Sequence, residues 1–151
     1  MSLTSPTRFG VSRLLGDYSG IREILLDRDL AKLGDAYVNL VYSLAESCRL
    51  GRGSNLRASS KVLAQALKRA GLRGLLPKRT TTHDQADAVE ALIAYAWLTN
   101  TLMFDECVSI LSRPVNNSDT DDDEAEPFAR LANEIIRRFA EADKSGQIPR
   151  D

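Results

Sequence analysis

The spacing of apolar residues constrains the fold of this chain more than any other feature of its sequence. Apolar positions recur at intervals of three and four residues through most of the chain, and no stretch of five or more residues alternates cleanly between apolar and polar side chains. The first pattern is typical of helices with one buried face, whereas the second would indicate strands. The sequence therefore predicts an all-α fold.

Capping residues, glycines and prolines predict where the helices begin and end. The predicted helices cover residues 21–27, 30–50, 55–67, 83–99, 102–111 and 127–143. In the second of these helices, one apolar stripe comprises Leu33, Tyr37, Leu40, Val41 and Leu44. The third helix is predicted to follow a cap at Ser54 or Asn55, and the fourth to begin with a capping box of Thr82 and Gln85.

Length and composition predict a single domain. The chain has 151 residues, of which 43% are hydrophobic, which is enough for one buried core and too few for two. We expect one helical domain over 1–151, with a helical core at about 21–112, an acidic loop at 116–126 and a C-terminal amphipathic helix at 127–143.

Targeting signals and cysteines indicate where such a protein works. No segment has the pattern of a signal peptide or approaches the roughly 18 apolar residues of a membrane span, which predicts a soluble, cytoplasmic protein. Cys48 and Cys107 are too few for a disulfide framework or a zinc site. Both are interpreted as buried reduced thiols.

Asp87 and Glu90 are the unusual residues of the fourth predicted helix. Every other residue from 86 to 98 is apolar or aromatic, which predicts a central helix buried nearly all round. The two carboxylates lie on one helix face, where they either pair with a basic residue in a structural role or share a divalent cation. The cation is favoured, because adjacent carboxylates repel each other and hard cations prefer oxygen ligands.

Asp35 offers a third carboxylate, in the second predicted helix. It lies away from the apolar stripe, on a face with Lys32, Asn39 and Glu46. By itself this position also fits a solvated surface aspartate. The preceding Gly34 favours a closer contact, because glycine within a helix costs up to about 1 kcal/mol and often permits close approach by another backbone.

The segment from 49 to 79 is basic throughout. The net charge of the whole chain is −1, yet this segment contains no Asp or Glu. Its basic residues are Arg49, Arg52, Arg57, Lys61, Lys68, Arg69, Arg73, Lys78 and Arg79. Such segregation creates a local positive field of the kind that meets a phosphate backbone, although a solvated basic helix face fits the pattern equally well.

The acidic motifs together resemble those of a known family. LGDA at 33–36, followed about fifty residues later by DAVEALI at 87–93, resembles the two acidic motifs of the ribonuclease III endonuclease domain. The segment between them is similar to the linking helix of that family, with LRA at 56–58, LA at 63–64 and GL at 71–72. The resemblance covers roughly residues 23–99 and favours the compact Mini-III-like or archaeal ribonuclease III-like forms.

The resemblance implies a partner, a cofactor and a set of site residues. The family forms all-α homodimers, with the first motif helix at or near the dimer contact, that bind double-stranded RNA and cut it with Mg²⁺ held by carboxylates. Carried over to this chain, Asp35, Asp87 and Glu90 would be the metal ligands, with Asp35 and Glu90 catalytic and Mn²⁺ a substitute for Mg²⁺. The expected RNA-binding residues are Arg52, Arg57, Lys61, Lys68, Arg69, Arg73, Lys78 and Arg79.

This sequence departs from the family pattern near Asp35. The usual motif has a Glu one helical turn before its Asp, but Ala31 occupies that position and Lys32 follows it. The Mini-III branch resembles this pattern, so the change puts a second metal in doubt without abolishing the expected activity. No double-stranded-RNA-binding domain follows the second motif, so the basic segment is expected to hold the RNA.

Two alternative functions stay open at the level of sequence. One is a catalytically silent dimer of ribonuclease III fold that binds RNA or ribonucleoprotein, with Lys32 replacing a metal electrostatically. The other is a helical protein-interaction domain that uses the amphipathic tail helix.

Overall fold

Six α-helices form the part of the chain that the computed structural model describes, which is residues 10–114 and 123–144. The helices are α1 Ile21–Leu25, α2 Arg28–Leu50, α3 Ser60–Arg69, α4 Thr82–Leu98, α5 Phe104–Ser112 and α6 Ala125–Asp143. Short 3₁₀ turns lie at Val11–Arg13 and Arg73–Leu75, and no strand occurs within the described ranges. The predicted all-α class is confirmed. None of these helices is long and apolar enough to cross a membrane.

Helix α4 lies at the centre of the fold, where its apolar composition predicted it. From Gln85 to Leu98, every residue is buried except Asp87 and Trp97, which are partly exposed. The helix packs against α1, α2, α3 and α6. Polar side chains on a helix surrounded in this way must meet groups on neighbouring elements, and this places Glu90 against other helices instead of bulk water.

The start of α4 differs by one residue from the prediction. The Thr81 hydroxyl accepts a hydrogen bond from the backbone N–H of Asp84 at 3.0 Å, and the Asp84 carboxylate accepts one from the backbone N–H of Thr81 at 3.2 Å. The predicted capping box of Thr82 and Gln85 is therefore wrong. Asp84 is close enough in length to the usual Glu or Gln to close the same box one residue earlier.

The largest difference from the predicted helices lies before α3. The predicted cap at Ser54 or Asn55 is wrong, because α3 begins at Ser60 with Ser59 as its N-cap. The Ser59 hydroxyl accepts a hydrogen bond from the backbone N–H of Val62 at 3.1 Å. Residues 53–59 are not helical, because polar side chains of α2 bind their backbone.

These side chains form a ladder along α2. Three backbone N–H groups donate to them, each at 2.8 Å: Ser54 to the Ser47 hydroxyl, Leu56 to the Ser43 hydroxyl and Ala58 to the side-chain oxygen of Asn39. A spacing of four helical residues rises about 6 Å, close to the roughly 6.6 Å of two extended residues. The segment 53–59 therefore lies extended along α2, with alternate residues facing the helix.

Helices α2 and α4 cross in direct backbone contact at Gly34. A Cβ atom on Gly34 would overlap the backbone carbonyl of Glu90. Since Asp35 is the next residue, the crossing brings its carboxylate beside Glu90. The close approach predicted for Gly34 is confirmed, and only a residue without a side chain allows it.

The apolar stripe of α2 is buried only in part. Tyr37 and Val41 are buried against the core, but Leu40 and Leu44 are 58% and 37% exposed. The stripe is wider than the face of α2 that α4 and α5 cover. An apolar surface therefore remains on the outside of α2, and we call Leu40 and Leu44 the α2 leucine pair.

The two cysteines have different environments. Both thiols are free, and Cys107 is buried, as predicted. Cys48 is exposed in the last turn of α2, so the interpretation of this residue as buried is wrong. As for Leu40 and Leu44, the apolar pattern of α2 extends beyond the helix face that neighbouring helices cover. An apolar residue in this pattern is therefore not necessarily buried.

Helix α6 forms where the amphipathic pattern of the tail predicted a helix. Its buried residues face α3, α4 and α5, and they are Ala125, Phe128, Ala129, Leu131, Ala132, Ile135 and Phe139. The helix begins two residues before the predicted start, with Pro127 in its first turn, where a missing N–H costs little. Of the predicted acidic loop, residues 116–122 lie outside the described ranges, and residues 125–126 belong to α6.

Replacing Gly34 by Ala is expected to lower the free energy of unfolding by about 3 kcal/mol or more, because the two helix backbones would have to separate. Gly74→Ala is the matched control, because a Cβ on Gly74 meets nothing within 4 Å. Its free energy of unfolding should change by less than about 0.5 kcal/mol. Urea unfolding followed by circular dichroism measures both values, and equal stability of the two variants would contradict the close crossing.

Candidate active site

The three predicted carboxylates line one open cleft of about 520 Å³ between α2, α4 and the segment that leads into α3. Its acidic residues are Asp35, Asp87 and Glu90, and its basic residues are Arg28, Lys32 and Arg57. The remaining lining comprises Ala31, Ala58, Ser60, Leu63 and His83. Carboxylates from two helices, 52 to 55 residues apart in sequence, therefore share one surface with three cations.

Asp35 is held at the edge of this cleft by two neighbours. The side-chain amide of Asn39 donates a hydrogen bond to Asp35 Oδ1 at 3.1 Å. The guanidinium of Arg57 lies 3.5 Å from Asp35 Oδ2. The Asp35 side chain is half exposed, so it is accessible to a ligand while Asn39 fixes its orientation.

Glu90 occupies the buried end of the cleft and is only 6% exposed. Burial raises the pKa of Glu90 to about 8, and a hydrogen bond with Asp35 and the negative charges of Asp35 and Asp87 act in the same direction. The positive charge of Arg57 opposes them and lowers this pKa. At neutral pH the Glu90 carboxyl therefore favours its protonated form, because burial and the neighbouring charge of Asp35 both disfavour the ionised form.

Asp87 faces the cleft on the turn of α4 before Glu90. Its Oδ1 lies 3.7 Å from Nε2 of His83, one turn earlier on the same helix. Asp87 also lines a second, smaller cleft of about 150 Å³ that contains Arg28, Arg79 and Asp84. Asp87 thus stands between two concave surfaces, and Arg28 belongs to both.

The carboxylates of the cleft can be compared with the ligands that Mg²⁺ prefers. In the described ranges, no three His, Cys, Asp or Glu side chains form a ready-made group that could hold a metal ion. Mg²⁺, however, is usually held by one or two carboxylates and keeps several waters, so an open acidic cleft suits it better than a closed cage. A divalent cation would also offset the repulsion that raises the pKa of Glu90. The oxygen donors of Asp35, Asp87 and Glu90 therefore fit Mg²⁺ in their chemistry.

The residues predicted to bind RNA do not form one uniform surface. Arg57 lines the larger cleft and Arg79 the smaller one. Arg69 pairs with Asp123 at 2.9 Å and Glu126 at 3.0 Å, so the end of the acidic segment meets part of the basic one. The exposed residues outside both clefts are Arg52, Lys61, Lys68 and Lys78.

Arg73 has a structural contact that the sequence did not indicate. Its guanidinium donates hydrogen bonds to the backbone carbonyls of Pro77 at 3.1 Å and Lys78 at 2.9 Å. These bonds fold the loop before α4 back on itself. Arg73 therefore fixes the loop, in addition to any contact with RNA.

Several residues of the cleft were not identified from the sequence. The sequence places Asn39, four residues after Asp35, on the same helix face, but it does not indicate the hydrogen bond between the two side chains. Arg28 likewise lies four residues before Lys32, and His83 lies four residues before Asp87, so each pair shares a helix face. His83 is an exposed residue of the first turn of α4, and it lies at the rim of the cleft.

Comparison with known proteins assigns this chain to a family. A family model for ribonuclease III matches residues 28–142, which is most of the chain. The protein therefore belongs to the ribonuclease III family, which indicates an RNA-cleaving or RNA-binding function. The match extends through α6, so the tail helix, which the sequence resemblance left unplaced, is part of the family domain. A search of curated proteins found no match.

Replacing Glu90 by Gln is expected to stabilise the metal-free protein at alkaline pH. The pKa of Glu90 is raised from 4.5 to about 8 on folding, so the stability that its protonated form contributes is complete below pH 4.5 and is lost as the pH rises through 8. Gln cannot ionise, so the stability of Glu90→Gln relative to wild type should increase by on the order of 4 kcal/mol between pH 5 and 9.

Urea unfolding in the presence of a chelator measures this difference at each pH. Glu141→Gln is the control, because the side chain of Glu141 is 61% exposed on α6. The control should show no comparable trend. A difference between Glu90→Gln and wild type that stays constant from pH 5 to 9 would contradict the raised pKa.

Proposed function

We propose that this protein is a Mg²⁺-dependent endoribonuclease that cuts double-stranded or structured RNA by hydrolysis of a phosphodiester bond. The observation that carries the proposal is that Asp35, Asp87 and Glu90, from two helices, line one accessible cleft. Family membership provides the substrate class, which is RNA. The basic residues around the cleft provide the positive charge that a phosphate backbone requires.

The side chains of the cleft suit this reaction in distinct ways. Asp35, oriented by Asn39, would hold Mg²⁺ together with Asp87 and Glu90. When bound, Mg²⁺ supplies positive charge for the phosphate oxygens and increases the acidity of a water nucleophile. Hydrolysis joins the water oxygen to phosphorus and breaks the bond to the 3′ oxygen, which takes up a proton. The products carry a 5′-phosphate and a 3′-hydroxyl.

One observation favours the alternative of a silent RNA-binding dimer. Ala31 lines the cleft where the family usually has a Glu, and the three carboxylates of the cleft are matched by Arg28, Lys32 and Arg57. These cations can bind the phosphates of RNA without a metal. The two functions differ in whether RNA is cut and whether a divalent cation binds, so one pair of assays separates them.

Incubation of a labelled RNA duplex with the protein and Mg²⁺ or Mn²⁺ is expected to yield discrete cleavage products. Glu90→Gln and Asp87→Asn should reduce the cleavage rate at least about 100-fold, because each removes a carboxylate that would hold the cation. Glu141→Gln, on the exposed face of α6, is the matched control and should cleave at the wild-type rate.

Two outcomes would refute the endonuclease proposal. One is a wild-type protein that binds the duplex but leaves it uncut with either metal, which would favour the silent dimer. The other is Glu90→Gln cleaving as fast as wild type. Calorimetric titration with Mn²⁺ provides the second assay, in which the endonuclease binds the cation and Asp87→Asn does not.

We also propose that the protein forms a homodimer through α2. The α2 leucine pair provides an apolar surface on the outside of this helix, and such surfaces commonly mark contacts between proteins. The pair lies on the opposite flank of α2 from Asp35, so a contact there would leave the cleft open. In this arrangement each subunit would present one cleft to the RNA.

Leu40→Glu is expected to weaken the dimer at least about 100-fold, because it places a charge in the centre of the proposed contact. Sedimentation velocity over a range of protein concentrations measures the change. Leu14→Glu, which alters a leucine that is 54% exposed outside the α-helices, should leave the dimer intact. A wild-type protein that is monomeric at all concentrations, or a Leu40→Glu variant that associates like wild type, would refute this contact.

A further inference from the structure

The extended segment 53–59 fixes the backbone position of Arg57, although the side chain of Arg57 is exposed. The residues on either side of it, Leu56 and Ala58, have their backbone N–H groups bound by Ser43 and Asn39 of α2 at 2.8 Å. The backbone of Arg57 is therefore fixed, while 74% of its side-chain surface stays exposed.

The hydrogen bonds between α2 and segment 53–59 also connect Arg57 with Asp35. Asn39 both anchors Ala58 and donates a hydrogen bond at 3.1 Å to Asp35, which lies one turn earlier on α2. One amide thus sets the position of a carboxylate and of the segment that carries a guanidinium. The resulting distance from Arg57 Nη2 to Asp35 Oδ2 is 3.5 Å, a long and exposed contact that contributes little to stability.

Arg57 differs from the other two cations of the cleft in its partner. Arg28 pairs with Asp84 at 3.2 Å, and Lys32 pairs with Asp29 at 3.4 Å. Neither Asp84 nor Asp29 lines the larger cleft, whereas the partner of Arg57 is one of its three carboxylates. Among Arg28, Lys32 and Arg57, it is therefore Arg57 whose charge is directed at the carboxylate cluster.

We propose that Arg57 contacts the phosphate group of RNA that lies over the carboxylate cluster, exchanging its weak contact with Asp35 for a bidentate contact with phosphate oxygens. A guanidinium offers planar paired donors that match two phosphate oxygens, and such a pair is stronger than an exposed, single-atom contact with a carboxylate. The exchange would also release Asp35 from its cationic neighbour. This inference rests on the proposed function, since it takes the ligand to be RNA and the phosphate to be the one that is cut.

If this contact forms, the contribution of Arg57 to RNA binding should depend on a single phosphate of the duplex. Fluorescence anisotropy in a chelator would measure binding to duplexes in which one phosphate at a time is replaced by an uncharged methylphosphonate. Wild type is expected to lose about 10-fold in affinity when the replaced phosphate is the one at the cleavage position. Arg57→Ala should bind the unmodified duplex about 10-fold more weakly and should not respond further to replacement at that position.

Two further variants distinguish a bidentate contact from a general positive charge. Arg57→Lys keeps the charge but lacks the planar pair of donors, so it should also lose the response at the cleavage position. Arg137→Ala removes one arginine from the exposed surface of α6, where its partners are Glu134 and Glu141, and should behave as wild type. Thermal unfolding of Arg57→Ala should match wild type, because its ion pair is exposed.

The outcomes separate this inference from the proposed function. If wild type cuts RNA but Arg57→Ala responds to the methylphosphonate as wild type does, the role of Arg57 is wrong and the endonuclease stands. Equal responses of Arg57→Lys and wild type would refute the bidentate contact. If no RNA is cut but replacement of one phosphate weakens binding through Arg57 alone, the phosphate contact is supported and the endonuclease is refuted.

Discussion

The backbone contact between Gly34 and Glu90 is the constraint on which the rest of the site depends. Because α2 has no side chain at Gly34, α4 approaches closely enough for Asp35 to stand beside Glu90. The same approach buries the Glu90 carboxyl, and burial together with Asp35 raises its pKa to about 8. The raised pKa of Glu90 and the proximity of its carboxyl group to Asp35 are therefore direct consequences of how the two helices pack.

Helix α2 serves a second purpose in organising the cleft. On the flank that carries Asp35, its polar side chains hold an extended segment in place of another helix, and this segment brings Arg57 to the acidic cluster. On its other flank, the α2 leucine pair stays uncovered. One helix thus supplies a carboxylate, fixes a cation and offers an exposed apolar surface, so the proposed RNA site and the proposed dimer contact both depend on it.

Most of the helices and the acidic motifs could be predicted from the sequence, because periodicity and spacing are local properties. The position of α4 followed from its uniformly apolar composition, and the close approach at Gly34 followed from the cost of glycine within a helix. The start of α3 could not be predicted, since Ser54 is a good cap in isolation and only the tertiary bonds from α2 exclude a helix there. Exposure of Leu40 likewise depends on which neighbours cover α2.

Crystals soaked in Mn²⁺ would show whether Asp35, Asp87 and Glu90 together bind a divalent cation. Anomalous scattering identifies Mn²⁺ independently of water. We expect an anomalous peak in the cleft within about 2.5 Å of carboxylate oxygens from both α2 and α4, with water completing the coordination. Crystals in which Mn²⁺ occupies other surface carboxylates while this cleft shows no anomalous density would contradict it.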